Sequence, residues 1–184
     1  MATILNISII VAFLVTFFTV PFFIRYFRFV NLTSRDVHKR SQPILPHSAG
    51  IPAAIGIVFA LLFYIFLNVF LYGDSTPLLR IFAAITTILI ITGIGFIDDL
   101  NVVQVKIRGY NEGKLGLKRW QRPLLTLPAA LPLMAIMAGV TEMTFPIIGT
   151  VNFGILYPLL LIPIGVVGAA NMVNMLGGFN GLEA

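Results

Sequence analysis

Five apolar stretches separated by polar connections set the pattern of this chain, at about 4–24, 51–71, 77–97, 123–140 and 155–170. An α-helix rises 1.5 Å per residue, so roughly 20 apolar residues cross a hydrocarbon core about 30 Å thick. The first three stretches meet that length, while the last two are shorter and need little tilt or help from flanking residues. The prediction is an all-α protein: a polytopic transmembrane helical bundle of about five spans, with 1–184 as a single membrane domain. The first stretch does not read as a cleavable signal peptide, because it lacks a basic leader and its apolar run is too long. Between the last two stretches, Phe145-Pro-Ile-Ile-Gly-Thr-Val-Asn-Phe153 holds two short apolar runs around Gly149-Thr150. They predict a small outer β-hairpin, which Pro146 restricts to an edge.

Composition strengthens the membrane reading. The chain is 58% hydrophobic and 10% charged, with a mean hydropathy of +0.98, against roughly 25% charged residues in a soluble domain. With no cysteine, disulfides, thiolate chemistry and zinc–thiolate sites are excluded. The net charge of +5 would suit a nucleic-acid partner if it were spread over one surface. It is instead divided between two connections. Arg25, Arg28, Arg35, Lys39 and Arg40 follow the first stretch, and Lys106, Arg108, Lys114, Lys118, Arg119 and Arg122 follow the third, leaving Arg80 alone elsewhere. The positive-inside rule then puts both basic loops in the cytoplasm and the N-terminus outside. The partner is the bilayer, not nucleic acid.

Against this background the seven acidic residues matter, because two of them, Asp98 and Asp99, adjoin at the end of the third stretch. Carboxylates beside hydrocarbon are costly and tend to mark ion, metal or substrate sites; solvated loop acids past a helix end are the plain alternative, and position alone leaves the two about even. If the third stretch ends there, both acids lie at the negative end of a helix dipole, unfavourable by about 0.3–1 kcal/mol each. A hard divalent ion such as Mg²⁺, or neighbouring lysines, would compensate. Adjacent helical residues point about 100° apart, so the two acids divide their roles between metal and substrate. Asn171 and Asn174, spaced i, i+3 at the end of the fifth stretch, share a face, though such amides also cap helix carbonyls.

The second and fourth stretches begin on the same side. Ser48, in Pro46-His-Ser-Ala-Gly50, is an N-cap candidate, and Arg122-Pro123 opens the fourth stretch. Helix N-termini with basic neighbours are anion sites, although proline-started helices without a ligand are common. Gly177-Gly178 breaks the fifth helix, and Asn180-Gly181 is a turn pair that exposes an amide. Oxygen ligands, positive helix ends and basic residues are thus expected on one membrane face, where Mg²⁺ and a diphosphate would meet an acceptor dissolved in the bilayer.

These residues resemble a known family, the polyprenyl-phosphate N-acetylhexosamine-1-phosphate transferases. Gly95-Phe-Ile-Asp98-Asp99 resembles their aspartate pair, Asn171-Met-Val-Asn174-Met-Leu-Gly-Gly-Phe-Asn180-Gly-Leu-Glu-Ala184 their asparagine-rich loop, and Pro46-His-Ser-Ala-Gly50 the motif opening their second helix. The loop reads Gly-Gly-Phe-Asn-Gly-Leu-Glu, which is closer to the dolichyl-phosphate GlcNAc-1-phosphate transferases of archaea and eukaryotes than to the phospho-MurNAc-pentapeptide enzyme of bacteria.

The resemblance implies transfer of a sugar-1-phosphate, GlcNAc-1-phosphate above all, from a UDP-sugar to a polyprenyl phosphate. UMP is released, Mg²⁺ is the cofactor and Mn²⁺ an alternative. It implies Asp98 and Asp99 at the catalytic centre, Asp98 and Asn174 on the metal, and Asn180 on the uracil. Arg122 stands where the dolichyl branch has a phosphate-contacting lysine, with Lys118 and Arg119 competing for that role. Lys39 and Ser48 complete the substrate-binding set, Lys39 being equally an ordinary positive-inside lysine.

A multi-pass protein of the cell membrane, or of the endoplasmic reticulum in a eukaryote, is expected, its active face cytoplasmic and a homodimer compatible. Family members are about twice this length, so the chain reads as an N-terminal portion, inactive alone. The cell-wall enzyme type is the alternative substrate class. A transporter would need mid-span charges that the apolar stretches lack, and an assembly subunit leaves the asparagine loop unexplained.

Overall fold

The computed structural model describes residues 2–35, 41, 44–46, 48, 50–107, 117, 120–147 and 149–176. They are mostly helical. The order is α1 (Ala2–Phe29), β1 (Thr33–Arg35), β2 (Ile44–Pro46), α2 (Gly50–Tyr72), α3 (Leu78–Ile107), α4 (Gln121–Thr126), a 3₁₀ turn (Leu127–Ala130), α5 (Leu131–Ala135), β3 (Glu142–Phe145), β4 (Gly149–Asn152), a π-helical turn (Tyr157–Leu161) and α6 (Ile162–Leu176).

Three helices are long and apolar enough to cross a membrane: Thr3–Phe29, Gly50–Tyr72 and Leu78–Leu100. Only 6% of the most apolar window of the first is buried, and 22% in each of the others. Side chains such as Phe13, Phe18 and Phe70 are more than 60% exposed. Apolar helices bare on most faces call for lipid as their solvent.

The fourth apolar stretch does not form one span-length helix. Pro128 and Pro132 lack the N–H that an α-helix needs and crowd the preceding turn, so α4, the 3₁₀ turn and α5 follow one another as short pieces. The run closes after Ala135, with Ala138 N–H bonded to Leu133 C=O at 2.9 Å and Met137 at φ 48°, the left-handed slot that ends many helices. In the fifth stretch, Pro163 cannot bond back to Leu159, and the preceding turn widens to π geometry, with Ile162 N–H reaching Tyr157 C=O. Tyr157–Val173 forms a shorter apolar helix.

The predicted hairpin is present as β3–β4, antiparallel, with Phe145 opposite Gly149. Its turn lies at Pro146-Ile147 instead of Gly149-Thr150, so the proline sits in the connection and escapes the ladder. Gly149 starts the second strand at φ +82°, a conformation that glycine adopts without penalty. A second, unforeseen ladder pairs β1 with β2, Ser34 opposite Leu45.

The chain packs as two compact units, Met1–Leu78 with Thr92–Lys118, and Leu79–Ile91 with Arg119–Ala184. In the first, α1 and α2 meet where Gly56 faces Ala12 and Thr16; Ala54, Ala60 and Ile65 are buried on α2, and Ile4 and Phe27 on α1. In the second, the core centres on Ala129 and Ala130, both fully buried, and Thr87 donates to Ala129 C=O at 2.9 Å.

Candidate active site

The aspartate pair is placed by α3, which differs from expectation in one respect. The helix continues past Asp98 and Asp99 to Ile107, because Leu100-Asn-Val-Val-Gln-Val-Lys-Ile107 contains no glycine or proline to stop it. The carboxylates therefore lie two turns inside the helix, and the dipole penalty, confined to the last turn, does not reach them. The membrane-length portion ends at Leu100, so the pair occupies the point where apolar sequence gives way to polar sequence.

The two side chains take different partners, as their 100° offset requires. Asp98 is buried, at 9% exposure, and its Oδ1 accepts the backbone N–H of Leu117 at 2.6 Å. That bond ties the far end of the basic connection to α3. Asp99 is half-buried, and its Oδ2 accepts the hydroxyl of Ser48.

Ser48 thus differs from the expected N-cap. Helix α2 begins at Gly50, and Ser48 precedes it at φ 59°, where a cap residue would be extended. Its carbonyl still accepts Ile51 N–H at 3.0 Å, and its hydroxyl is directed to Asp99. The first unit therefore assembles Ser48, Asp98, Asp99 and the Leu117 amide from residues far apart in sequence.

In the second unit, Arg122 lies half-buried in the first turn of α4. Its carbonyl accepts Thr126 Oγ1 at 3.0 Å, and Asn171 Nδ2 donates to that same hydroxyl oxygen at 3.2 Å. Asn171 Nδ2 also donates to Val167 C=O at 2.7 Å. This amide caps a carbonyl of its own helix and bridges α6 to α4, a structural role. Thr126, 6% exposed, is the residue that sequence reasoning missed; four residues after Arg122, it has the spacing for a hydroxyl-to-carbonyl bond along a helix. Since α4 has only six regular residues before the 3₁₀ turn and α5 continue it, the expected anion site at its N-terminus is backed by an irregular helical run.

Asn174 lies on α6, its side chain beyond the described structure. Lys39, Lys118 and Asn180 lie outside the described residues. Among the described residues, no group of three or more His, Cys, Asp or Glu side chains could hold a metal.

Three apolar helices of membrane-crossing length, one of them carrying a carboxylate pair at a polar boundary, point to an integral membrane protein. The family model described as Glycosyl transferase family 4 matches residues 81–184, more than half of the chain and all of α3 from Ile81 onward. The chain belongs to that family.

One relative, from Saccharolobus solfataricus, carries the provisional name UDP-N-acetylglucosamine–dolichyl-phosphate N-acetylglucosaminephosphotransferase. It is 27% identical over 177 residues, covering 95% of this chain and 48% of the relative. The protein of that name from Dictyostelium discoideum is 28% identical over 169 residues, 83% of this chain and 38% of the relative. A phospho-N-acetylmuramoyl-pentapeptide-transferase from Streptococcus thermophilus is 28% identical over 181 residues, 95% of this chain and 51% of the relative. The chain spans about half the length of the curated relatives it matches, or less.

Proposed function

We propose that this chain contributes to a transferase that moves GlcNAc-1-phosphate from UDP-GlcNAc to a dolichyl-type polyprenyl phosphate at the cytoplasmic face of the membrane, the first membrane step of lipid-linked glycan synthesis. The observation that carries the reading is the carboxylate pair at the lipid boundary of α3, within the segment matched by the family. A lipid phosphate reaches the protein at that depth, and a water-soluble nucleotide sugar meets it there.

In the reaction, an oxygen of the lipid phosphate attacks the β-phosphorus of UDP-GlcNAc. The new P–O bond forms as the bond from the β-phosphorus to the bridging oxygen breaks, and UMP leaves with that oxygen. Catalysis of this kind rests on positioning and on neutralising phosphate charge. Asp99 holds or deprotonates the incoming phosphate, and Asp98 anchors the basic connection through the Leu117 amide. Arg122 and Lys118 balance the charge of the diphosphate, Lys39 that of the lipid phosphate, and Asn180 reads the uracil.

The donor chemistry fits a hard divalent cation, since carboxylate oxygens are its preferred ligands. Asp98 and Asn174 are the proposed protein ligands, with phosphate and water oxygens filling the rest of the shell. Mg²⁺, or Mn²⁺ in its place, would screen the diphosphate and polarise its oxygens when bound. The similarity to the Streptococcus thermophilus enzyme favours a second donor, a UDP-MurNAc-pentapeptide.

A donor panel separates the two. Membranes containing the intact protein and a polyprenyl phosphate should release UMP from UDP-GlcNAc in a Mg²⁺-dependent manner and not from UDP-MurNAc-pentapeptide. The opposite preference would move the protein to cell-wall synthesis, and release from neither would refute a transferase.

A further inference from the structure

Ser48 has two features that its sequence context does not require. It takes φ 59°, a left-handed backbone conformation uncommon outside glycine, asparagine and aspartate. Such conformations persist where the surrounding structure enforces them, and they cluster at functional sites. Its hydroxyl also spans 51 positions in sequence to donate to Asp99 Oδ2. Among the described residues that hydroxyl is the hydrogen-bond partner of the Asp99 carboxylate, whereas Asp98 is occupied by the Leu117 amide in a buried setting. The left-handed turn is what lets the chain enter α2 while its serine aims back at α3.

We propose that Ser48 is a positioning residue for Asp99 and not a substrate ligand: by holding Oδ2, it fixes the carboxylate plane and leaves Oδ1 as the oxygen of the pair that meets substrate. This rests on the transferase reading above. A carboxylate on a free χ2 rotor samples many orientations, and a charge-assisted O–H···O⁻ bond confines it. Loss of such a supporting bond to a reactive group costs about 10–100-fold in activity.

The left-handed backbone makes the test selective. In the intact protein, Ser48→Gly removes the hydroxyl while relieving the backbone. Its melting temperature should therefore hold or rise as kcat falls about 10–100-fold, with KM for the UDP-sugar within about twofold. Ser48→Asn keeps a donor and tolerates the left-handed conformation, and should restore much of kcat. Ser48→Gly added to Asp99→Asn should cost no further activity, because the carboxylate it orients is gone; added to Asp98→Asn it should cost its full factor.

A Ser48→Gly protein with unchanged kcat, or with a raised KM as the main defect, overturns the positioning role and leaves the transferase reading intact. A wild-type protein that transfers no sugar phosphate overturns both.

Discussion

A close approach between α1 and α2 at Gly56 offers a test of the packing. A Cβ added at Gly56 would lie 2.0 Å from Thr16 Oγ1, 2.8 Å from the backbone carbonyl oxygen of Ala12 and 3.2 Å from Thr16 Cβ. The threonine hydroxyl could rotate, but the carbonyl belongs to a helix and is about 0.6 Å inside ordinary contact. Gly56→Ala must therefore push the helices apart, and overpacking of this kind costs about 1–3 kcal/mol. The same substitution gains about 0.8–1 kcal/mol from helix propensity, so the raw change understates the clash.

A matched control isolates it. A Cβ at Gly93 on α3 or at Gly165 on α6 meets nothing within 4 Å, so alanine there collects the propensity gain alone. Unfolding free energies by SDS titration in mixed micelles should place Gly56→Ala about 1–3 kcal/mol below Gly93→Ala and Gly165→Ala. Thr16→Ala should recover only part of that difference, because the Ala12 carbonyl stays. Equal shifts at the three glycines would refute the close α1–α2 contact.

Two further predictions concern polar groups away from the site. Asn68 on α2 is 1% exposed and, among the described residues, neither side-chain polar atom has a hydrogen-bond partner; since an unsatisfied buried group costs about 1–3 kcal/mol, Asn68→Leu should stabilise the protein by that order in the same titration, and a loss of stability would contradict the burial. Asp74, in the turn after α2, is held below the usual carboxylate range by the hydroxyl of Thr76, at 2.7 Å, and then by its backbone N–H. A lowered folded value means this contact contributes above the ordinary carboxylate value and fades as pH falls through the folded one. Thr76→Val should move the carboxyl ¹³C titration midpoint of Asp74 part of the way back up, and an unchanged midpoint would contradict that cause.

Much of the fold was legible because bilayer thickness imposes a length that three helices meet, and because short apolar runs around a turn residue announce β3–β4. Other features were not. Hydropathy ended the third helix at Asp98, but a helix ends where backbone bonding is interrupted, and the first such break comes well past Asp99. Hydropathy likewise drew the fourth stretch as one segment, although Pro128 and Pro132 divide its helix into pieces. The position of Asp98 and Asp99 at the end of the membrane-length portion of α3 was readable from where the apolar run meets acids. The Ser48–Asp99 and Asn171–Thr126 contacts were not, because each joins residues more than forty positions apart and composition carries no trace of such pairings. Lys39, Lys118 and Asn180 stand as proposals from resemblance alone.

The central claim is that the Asp98–Asp99 pair serves phosphoryl transfer at the lipid boundary. Its most direct test is Mg²⁺-dependent UMP release from UDP-GlcNAc by the intact protein carrying Asp98→Asn or Asp99→Asn, with folding checked by melting temperature. The account predicts loss of at least about 100-fold in kcat for Asp99→Asn, in the range that removal of an acid–base group produces, and a marked loss for Asp98→Asn. Wild-type rates in both folded variants would contradict it.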